Sequence, residues 1–308
     1  MELKNKKIIV TGGAGFIGSN LVERLAKDND VIVIDNLHTG SEANLNSALK
    51  SGRVVFKKAD SGDMSKLKFD ADIVYHLGMY SASPMYRKNP ELLGEVTTSM
   101  IKVLEYIKKA EIPLVFASTS SIYNGVTPPH RENARYFVSD YYTEGRIFAE
   151  RASELYNKLY GCSIAAMRFF SVYGYHEEAK KGYANLVTQF MWSMQKGEPP
   201  VIYGDGSQKR DFVFVTDVVE ALAKASAING FDVFNVGYGK NYTLNQMVDI
   251  LNQKMGKKIK AKYIKMPVSN YVAETLADTA KAQKVLGFKA MVDLEHGIDM
   301  LLGSAAQN

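Results

Sequence analysis

The sequence lacks most features that would point to a secreted, membrane-spanning or metal-binding protein. Its 308 residues contain one cysteine, Cys162, so no internal disulfide can form. No apolar run reaches the roughly 18 residues that a membrane-spanning helix needs, and residues 1–7 lead directly into a short apolar strand. The histidines show no metal-ligand spacing with the cysteine or with carboxylates, so no metal site is predicted. We therefore expect a cytoplasmic protein without a membrane partner.

The excess of positively over negatively charged residues is also small. Lysine and arginine number 38 against 33 acidic residues, which gives a formal net charge of +5 at pH 7. The lysines are scattered and form no dense basic block with interleaved aromatics, so nucleic-acid binding is not predicted. A positive cleft for an anionic substrate remains compatible with this excess. The hydrophobic content of 46% argues against disorder, and the length suffices for one large core or two modest ones.

The most informative segment is residues 8–35, where a β-branched apolar run, a glycine turn, a helical pattern and a second apolar run follow one another. Three glycines mark the turn: Gly12, Gly15 and Gly18. In this arrangement the glycines permit the tight turn, the approach of a pyrophosphate and close packing of helix on strand. Asp35 ends the next strand about 20 residues on, where a carboxylate binds the adenosine ribose hydroxyls. The pattern predicts NAD, because the acid repels the 2′-phosphate of NADP.

Apolar runs and amphipathic segments alternate as far as residue 168, which is typical of repeated βα units. The predicted strands are 7–11, 30–35, 53–57, 71–76, 112–117 and 162–168, and the predicted helices are 16–27, 91–110 and 140–160. Such an alternation predicts an α/β fold with a doubly wound parallel sheet of the Rossmann type.

The alternation of predicted strands and helices ends after residue 168, which indicates a smaller α/β substrate-binding lobe. Further helices are predicted at 183–196, 243–255 and 279–286, with strands at 213–215 and 234–236. We predict an NAD-binding domain at 1–170, to which 209–238 return, and a substrate-binding lobe formed mainly by 171–308.

Several motifs together resemble those of extended short-chain dehydrogenases/reductases, in the nucleotide-sugar epimerase branch that is UDP-glucose 4-epimerase-like. The segments that carry the resemblance are 11–19, 35–40, 59–60, 76–79, 116–123, 168–174 and 204–212. The resemblance covers nearly the whole chain. It implies NAD-dependent epimerisation of a nucleotide-diphosphate sugar at C4, of the UDP-glucose/UDP-galactose type, through a transient 4-keto intermediate. It also implies a homodimer that pairs through the helices at 91–110 and 140–160.

The resemblance assigns three catalytic residues. The family's Tyr-x-x-x-Lys motif occurs here as Tyr142 and Arg146, in a register fixed by Ala149 and Glu150, and the catalytic hydroxyl falls on Thr119. A spacing of four places Tyr142 and Arg146 on one helix face. A tyrosine is a poor base at its ordinary pKa near 10, so a nearby cation must favour the phenolate. Arginine supplies that charge, although its planar fork is longer than an ammonium and cannot lose a proton.

The remaining predicted site residues also follow from the resemblance. Those for the cofactor are Gly12, Gly15, Phe16, Ile17, Gly18, Asp35, Asn36, Gly40, Asp60, Ser61, Leu77, Gly78, Ser118, Tyr142, Arg146 and Phe169. Those for the substrate are Thr119, Tyr142, Ser171 and Arg210, of which Arg210 is a clamp for the diphosphate. Ser171 stands where the family usually has asparagine and Val268 where it has arginine. These departures leave the sugar and the nucleotide base open.

Two other functions remain open at this point. One is a catalytically silent NAD-binding sensor or scaffold, which Arg146, Ser171 and Val268 favour. The other is a net NAD-dependent sugar dehydrogenase that releases NADH. Ser120 and Ser121 follow Thr119, so the acid of a 4,6-dehydratase and the glutamate of a decarboxylase are both missing there.

Overall fold

A computed structural model describes residues 3–67, 69–137, 139–266 and 271–305. The strands within these ranges are β1 (Lys7–Thr11), β2 (Asp30–Asp35), β3 (Val54–Lys58), β4 (Ile73–His76), β5 (Leu114–Thr119), β6 (Ile164–Phe169), β7 (Ser171–Tyr173), β8 (Val201–Tyr203), β9 (Lys209–Phe214), β10 (Phe231–Val236), β11 (Asn241–Thr243) and β12 (Lys262–Ile264). The α-helices are α1 (Phe16–Leu25), α2 (Asn46–Leu49), α3 (Ser83–Lys88), α4 (Leu92–Ala110), α5 (Tyr141–Tyr160), α6 (Leu186–Gln195), α7 (Val215–Ala225), α8 (Leu244–Met255) and α9 (Leu294–Ala305).

Seven strands form one parallel sheet in the order β3-β2-β1-β4-β5-β6-β10. The chain proceeds outward from β1 to β3, returns to β4 on the other side of β1, and then proceeds outward again. This reversal between β1 and β4 is the switch point of a doubly wound sheet. The predicted Rossmann-type fold is confirmed.

Two hydrophobic layers cover the faces of this sheet because successive side chains of a strand point to opposite faces. On one face, Ile8 and Val10 of β1 pack with side chains of α1 and α7. On the other face, Ile9 packs with side chains of α4 and α5. All three β1 side chains are fully buried. Both faces of the central strand are therefore covered, as a parallel sheet requires.

Helix α5 begins and ends at residues suited to those positions. Asp140 accepts a hydrogen bond from Thr143 N (2.9 Å) at its amino end, and Gly161 adopts φ +71° at its carboxyl end. Tyr142 is therefore the second residue of the helix, and this position in the first turn fixes the direction in which its side chain points.

The rest of the described chain forms a three-stranded sheet, β11-β9-β7, a two-stranded sheet, β12-β8, and the helices α6, α8 and α9. Residues from all three helices share a core with β9, including Phe190, Met247 and Ile298. Strand β10 belongs to the large sheet, whereas β9 lies in the three-stranded sheet. The domain boundaries at 170 and 209–238 stay a prediction.

Several predicted bounds were wrong by a few residues. The strand predicted at 112–117 is 114–119, and the strand predicted at 213–215 ends at Phe214 because Val215 begins α7. The segment 279–286 contains a π-helical turn at Ala282–Leu286. Helices α2, α3, α7 and α9 were not predicted. No described helix is long and apolar enough to cross a membrane.

Candidate active site

A cavity of about 940 Å³ lies at the carboxyl ends of the central strands of the large sheet, beside the switch point. Its wall includes every residue predicted to bind the cofactor, from Gly12 to Phe169, together with Thr119 and Ser171. Ligands of doubly wound sheets bind in this crevice because the loops diverge there. The fold thus brings residues that are far apart in the sequence to one surface.

The glycine turn leaves room only for backbone atoms and a ligand. Gly12 has φ +69°, and a Cβ there would lie 2.6 Å from Gly78 N. A Cβ on Gly18 would lie 2.0 Å from Gly12 O, so helix α1 can approach the strand only with glycine at this position. The first turn of α1 has neither a side-chain cap nor an acidic residue. Its free N–H groups fit the pyrophosphate of a dinucleotide.

Asp35 lies beside this turn at the end of β2. Its Oδ2 accepts from Ala14 N (3.0 Å) and its Oδ1 accepts from Leu37 N (2.7 Å). Burial raises the pKa of Asp35, and these backbone hydrogen bonds oppose that effect. Nearby, Asn36 Nδ2 donates to Asp60 Oδ1 (2.8 Å). Both carboxylates line the cavity, so this end suits ribose hydroxyls better than a further phosphate.

The three predicted catalytic residues lie on the same cavity wall. Thr119 is the last residue of β5 and its Oγ1 accepts from Ser121 N (3.1 Å), which leaves the hydroxyl proton available to a ligand. Tyr142 lies in the first turn of α5, and the guanidinium carbon of Arg146 is 4.8 Å from its ring centroid. The spacing of four therefore brings the cation over the phenol, as predicted.

Arg146 is 3% exposed and only partly hydrogen-bonded. Its Nη2 donates to Tyr80 O (2.8 Å), while its Nε and Nη1 are buried and have no partner among the described residues. Buried donors without acceptors are costly, and because Arg146 borders the cavity, a ligand bound there can supply acceptors to them. The ribose hydroxyls of a nicotinamide nucleotide fit this chemistry.

A buried network supports the strand that carries Thr119. Ser118 Oγ donates to Glu150 Oε1 (2.5 Å), and Arg168 binds the same carboxylate through Nε (2.9 Å) and Nη2 (2.6 Å). Arg168 Nη1 donates to Tyr123 Oη (2.7 Å), which donates to Asn235 Oδ1 (2.7 Å). The network ties β5, β6, β10 and α5 together beside the site. Sequence reasoning used Glu150 only to fix a register and missed this role.

His76 is fully buried at the end of β4. Its Nδ1 lies 2.7 Å from Thr11 Oγ1, and burial together with the charge of Arg146 lowers the pKa of His76 to about 3. The imidazole is therefore neutral near pH 7. The described residues contain no group of three His, Cys, Asp or Glu side chains that could hold a metal ion.

The predicted substrate residues divide into two groups. Thr119, Tyr142 and Ser171 line the cavity, whereas Arg210 is not part of its wall. The guanidinium of Arg210 donates from Nη1 to Lys209 O (2.7 Å) and lies 5.1 Å from the ring centroid of Tyr271. Val268 lies outside the described residues.

The cavity wall also includes Lys180, Tyr183 and Asn185, which sequence reasoning did not single out. They lie between β7 and α6, where the βα rhythm has already ended. No spacing rule of the dinucleotide pattern extends to that segment, and a lysine in a loop is ordinarily a solvated surface residue.

Comparison with known proteins gives consistent results. The model of a family described as the NAD dependent epimerase/dehydratase family matches residues 8–237. A UDP-glucuronate 4-epimerase from Thermodesulfobacterium geofontis is 30% identical, over 97% of this chain and 96% of that protein. The structure of a UDP-glucose 4-epimerase with UDP-glucose from Thermotoga maritima has a TM-score of 0.91 at 28% identity, covering 98% and 99% of the two chains. A UDP-glucuronic acid 4-epimerase from Bacillus cereus, in complex with UDP-glucuronic acid and NAD, has a TM-score of 0.88 at 26% identity, with the same coverage.

Proposed function

The chain belongs to the NAD dependent epimerase/dehydratase family, and we propose that it epimerises a nucleotide-diphosphate sugar at C4 through a 4-keto intermediate. The observation that carries this proposal is the meeting of Thr119, Tyr142 and Arg146 on the wall of a cavity otherwise lined by dinucleotide-binding residues. The 4-epimerases of Thermotoga maritima and Bacillus cereus, which act on UDP-glucose and UDP-glucuronic acid, support the same reaction class.

Bound NAD would provide the redox chemistry at C4 and would be unchanged after each cycle. The phenolate oxygen of Tyr142 would take the proton of the C4 hydroxyl and later return it. The Thr119 hydroxyl would donate a hydrogen bond to the C4 oxygen, which holds that oxygen beside Tyr142 as the carbonyl forms. The 4-keto sugar would turn over between oxidation and reduction, so that C4 would be reduced on its opposite face. Tyr142 would serve both half-reactions, because the proton leaves and returns at the same C4 oxygen.

Arg146 would act through charge rather than through proton transfer. Its guanidinium lies over the Tyr142 ring, where a fixed positive charge would stabilise the negative charge that develops on the phenolic oxygen during proton transfer. Its unpartnered Nε and Nη1 would donate to the ribose hydroxyls of the nicotinamide nucleotide. The family lysine performs both tasks with one ammonium, whereas the arginine divides them among separate atoms.

The test is to incubate the purified protein with NAD and, separately, UDP-glucose, UDP-glucuronate and UDP-N-acetylglucosamine. We expect one of them to reach an equilibrium mixture of C4 epimers by proton NMR, without lasting absorbance at 340 nm. Accumulation of NADH in proportion to product would instead establish a net dehydrogenase. Tight NAD binding with no conversion of any nucleotide sugar would support a silent sensor or scaffold.

A homodimer is part of the proposal. The outer faces of α4 and α5 carry partly exposed apolar side chains, among them Leu155 and Leu159, which are 51% and 60% exposed. Leu93, Ile101 and Phe148 line a groove of about 470 Å³ between the two helices. A twofold axis across this face would bury the same patch on both copies.

The dimer is tested by light scattering of Ile101→Asp. We expect this variant to have the mass of a monomer, because an unpaired carboxylate would be buried in the interface. Val55→Asp is the matched control, since Val55 is 46% exposed but lies on β3, far from the groove in the sheet order. An unchanged mass for Ile101→Asp would place the interface elsewhere. We further propose a cytoplasmic location, which cell fractionation tests.

A further inference from the structure

Lys180 stands apart from the other cations of the cavity wall. Among the described residues of the wall, three carry a positive charge: Lys102, Arg146 and Lys180. Lys102 is exposed on α4 and Arg146 belongs to the catalytic group. The side chain of Lys180 is only 16% exposed, so its ammonium is largely removed from solvent although it borders the cavity.

The ion-pair partner of Lys180 is already occupied by other donors. Glu177 Oε1 accepts from Asn185 N (2.7 Å), and its Oε2 accepts from Gly174 N (3.4 Å) and from the Thr188 hydroxyl. The Lys180 Nζ lies 3.9 Å from Oε1, which is beyond hydrogen-bond distance. Burial lowers the pKa of Lys180, which indicates an ammonium that protein groups stabilise only in part. A buried cation of this kind has donors left for a ligand.

The segment that carries Lys180 is fixed to the amino end of α1. Ser19 Oγ lies 2.8 Å from His176 Nδ1, and Asn20 Nδ2 donates to Tyr175 O (2.9 Å). Lys180 Nζ itself lies 5.2 Å from the centroid of the Phe16 ring, and Phe16 is the first residue of α1. The ammonium and the uncapped first turn of the helix are therefore neighbours, and both attract an anion.

Acidic side chains also line the wall. Those of the described residues are Asp35, Asp60, Asp63, Glu91 and Glu95, all from the first 95 residues of the chain. Phosphate oxygens bound in this cavity therefore need a cation nearby. Because Lys102 is exposed and Arg146 belongs to the catalytic group, Lys180 is the cation of the described wall that remains for a phosphate.

We propose that the Lys180 ammonium binds a diphosphate beside the amino end of α1. This inference rests on the proposed function, in which two ligands bring a diphosphate, the dinucleotide cofactor and the nucleotide sugar. The chemistry required of Lys180 is the same for both, namely an ammonium that donates to phosphate oxygens in a partly dehydrated site.

The test measures the affinities of NAD, and of UDP in the presence of saturating NAD, by calorimetry for four proteins. These are the wild type, Lys180→Met, Lys180→Arg and the matched control Lys181→Met, whose lysine is adjacent and exposed. We expect Lys180→Met to weaken binding of NAD, UDP or both by about 10- to 100-fold, the loss typical of a hydrogen bond to a charged group. Lys180→Arg and Lys181→Met should stay close to the wild type.

The ligand whose affinity falls identifies the source of the diphosphate. Unchanged affinities for both ligands in Lys180→Met would overturn the inference. So would an equal loss in Lys180→Arg, since charge would then not matter, or an equal loss in Lys181→Met. These measurements need no turnover. A wild type that binds both ligands but converts no nucleotide sugar would therefore defeat the proposed function and leave this inference standing.

Discussion

Arg146 and Arg168 are both nearly fully buried, at 3% and 2% exposure, but they differ in their partners. Arg168 pairs with both oxygens of Glu150 and donates to Tyr123. Arg146 donates once, to Tyr80 O, and two of its nitrogens have no partner in the described part of the chain. One guanidinium is saturated by the protein and the other is not.

This difference distinguishes a charge that stabilises the fold from a charge that is available to a ligand. A buried ion pair is tolerated when every donor finds an acceptor, and losing one partner leaves the other charge stranded. Unpartnered buried donors cost stability in the free protein, and this cost is recovered when a ligand supplies acceptors. We therefore expect the two arginines to respond oppositely to removal: Arg168 in folding, Arg146 in binding and turnover.

The largest expected effect is the destabilisation of Arg168→Met. Removing the guanidinium leaves the Glu150 carboxylate buried without its cation, which typically costs about 3–5 kcal/mol of unfolding free energy. Urea unfolding followed by circular dichroism measures the loss. Arg146→Met, measured in the same way without ligands, should lose much less, because few hydrogen bonds disappear. Equal losses in the two variants would contradict the distinction.

Tyr142→Phe should have the next largest effect, on turnover rather than on folding. Without the phenolic oxygen no group takes the C4 proton, so kcat should fall about 100-fold or more. NAD affinity should be nearly unchanged, since the removed atom is not one of the cofactor's charged contacts. Tyr141→Phe is the control, because the neighbouring Tyr141 is 49% exposed. Full activity of Tyr142→Phe would transfer the proton-accepting role to another residue, with Tyr141 the first candidate.

Replacement of Arg146 tests its charge and its donors separately. Arg146→Ala should raise the apparent pKa of the activity profile, because the phenolate loses its stabilising cation, and should weaken NAD binding about tenfold. Arg146→Lys should keep or increase activity, since an ammonium restores the family arrangement. The pH–rate profiles of the wild type and both variants on one accepted substrate make the comparison. Identical profiles across all three would defeat the role of this arginine.

The contrast between the arginines also shows how far the sequence could be interpreted. The glycine turn, Asp35 and the pair Tyr142 and Arg146 lie within local patterns whose spacing reflects the geometry of one strand and one helix. In the structure all of these residues lie on one cavity wall. The side-chain partners of Arg168 are Glu150 in α5 and Tyr123, which follows β5, and long-range pairing of this kind leaves no spacing in the sequence.

Lys180 and Arg210, both in the second half of the chain, show the same limit. Arg210 lies in a segment that resembles the family closely, yet its side chain donates to Lys209 O and stacks on Tyr271. Lys180 lies in a short 3₁₀-helical segment, Glu178–Tyr183, without a recognisable sequence pattern, yet it borders the cavity. The direction of a side chain depends on how the smaller sheets pack against the large one. That packing is determined by contacts between segments, which periodicity does not record.

The smallest expected effect concerns Asp35. This buried acid combines the properties of the two arginines, since protein groups bind its oxygens and it also borders the cavity. Its oxygens accept from Ala14 N and Leu37 N, but the side chain also borders the cavity. Its negative charge should exclude the 2′-phosphate of NADP, so Asp35→Ser should narrow the preference for NAD about tenfold, mainly by improved NADP affinity. Parallel titrations with NAD and NADP measure the ratio of the two affinities, and Asp30→Ser, at the exposed start of β2, is the control.

The preference of the wild type for NAD over NADP should also depend on pH. Burial raises the pKa of Asp35, so protonation at acidic pH should narrow this preference, and Asp35→Ser should show no such pH dependence. A wild type that binds both cofactors equally at neutral pH would show that Asp35 serves the glycine turn alone, as Arg168 serves its network.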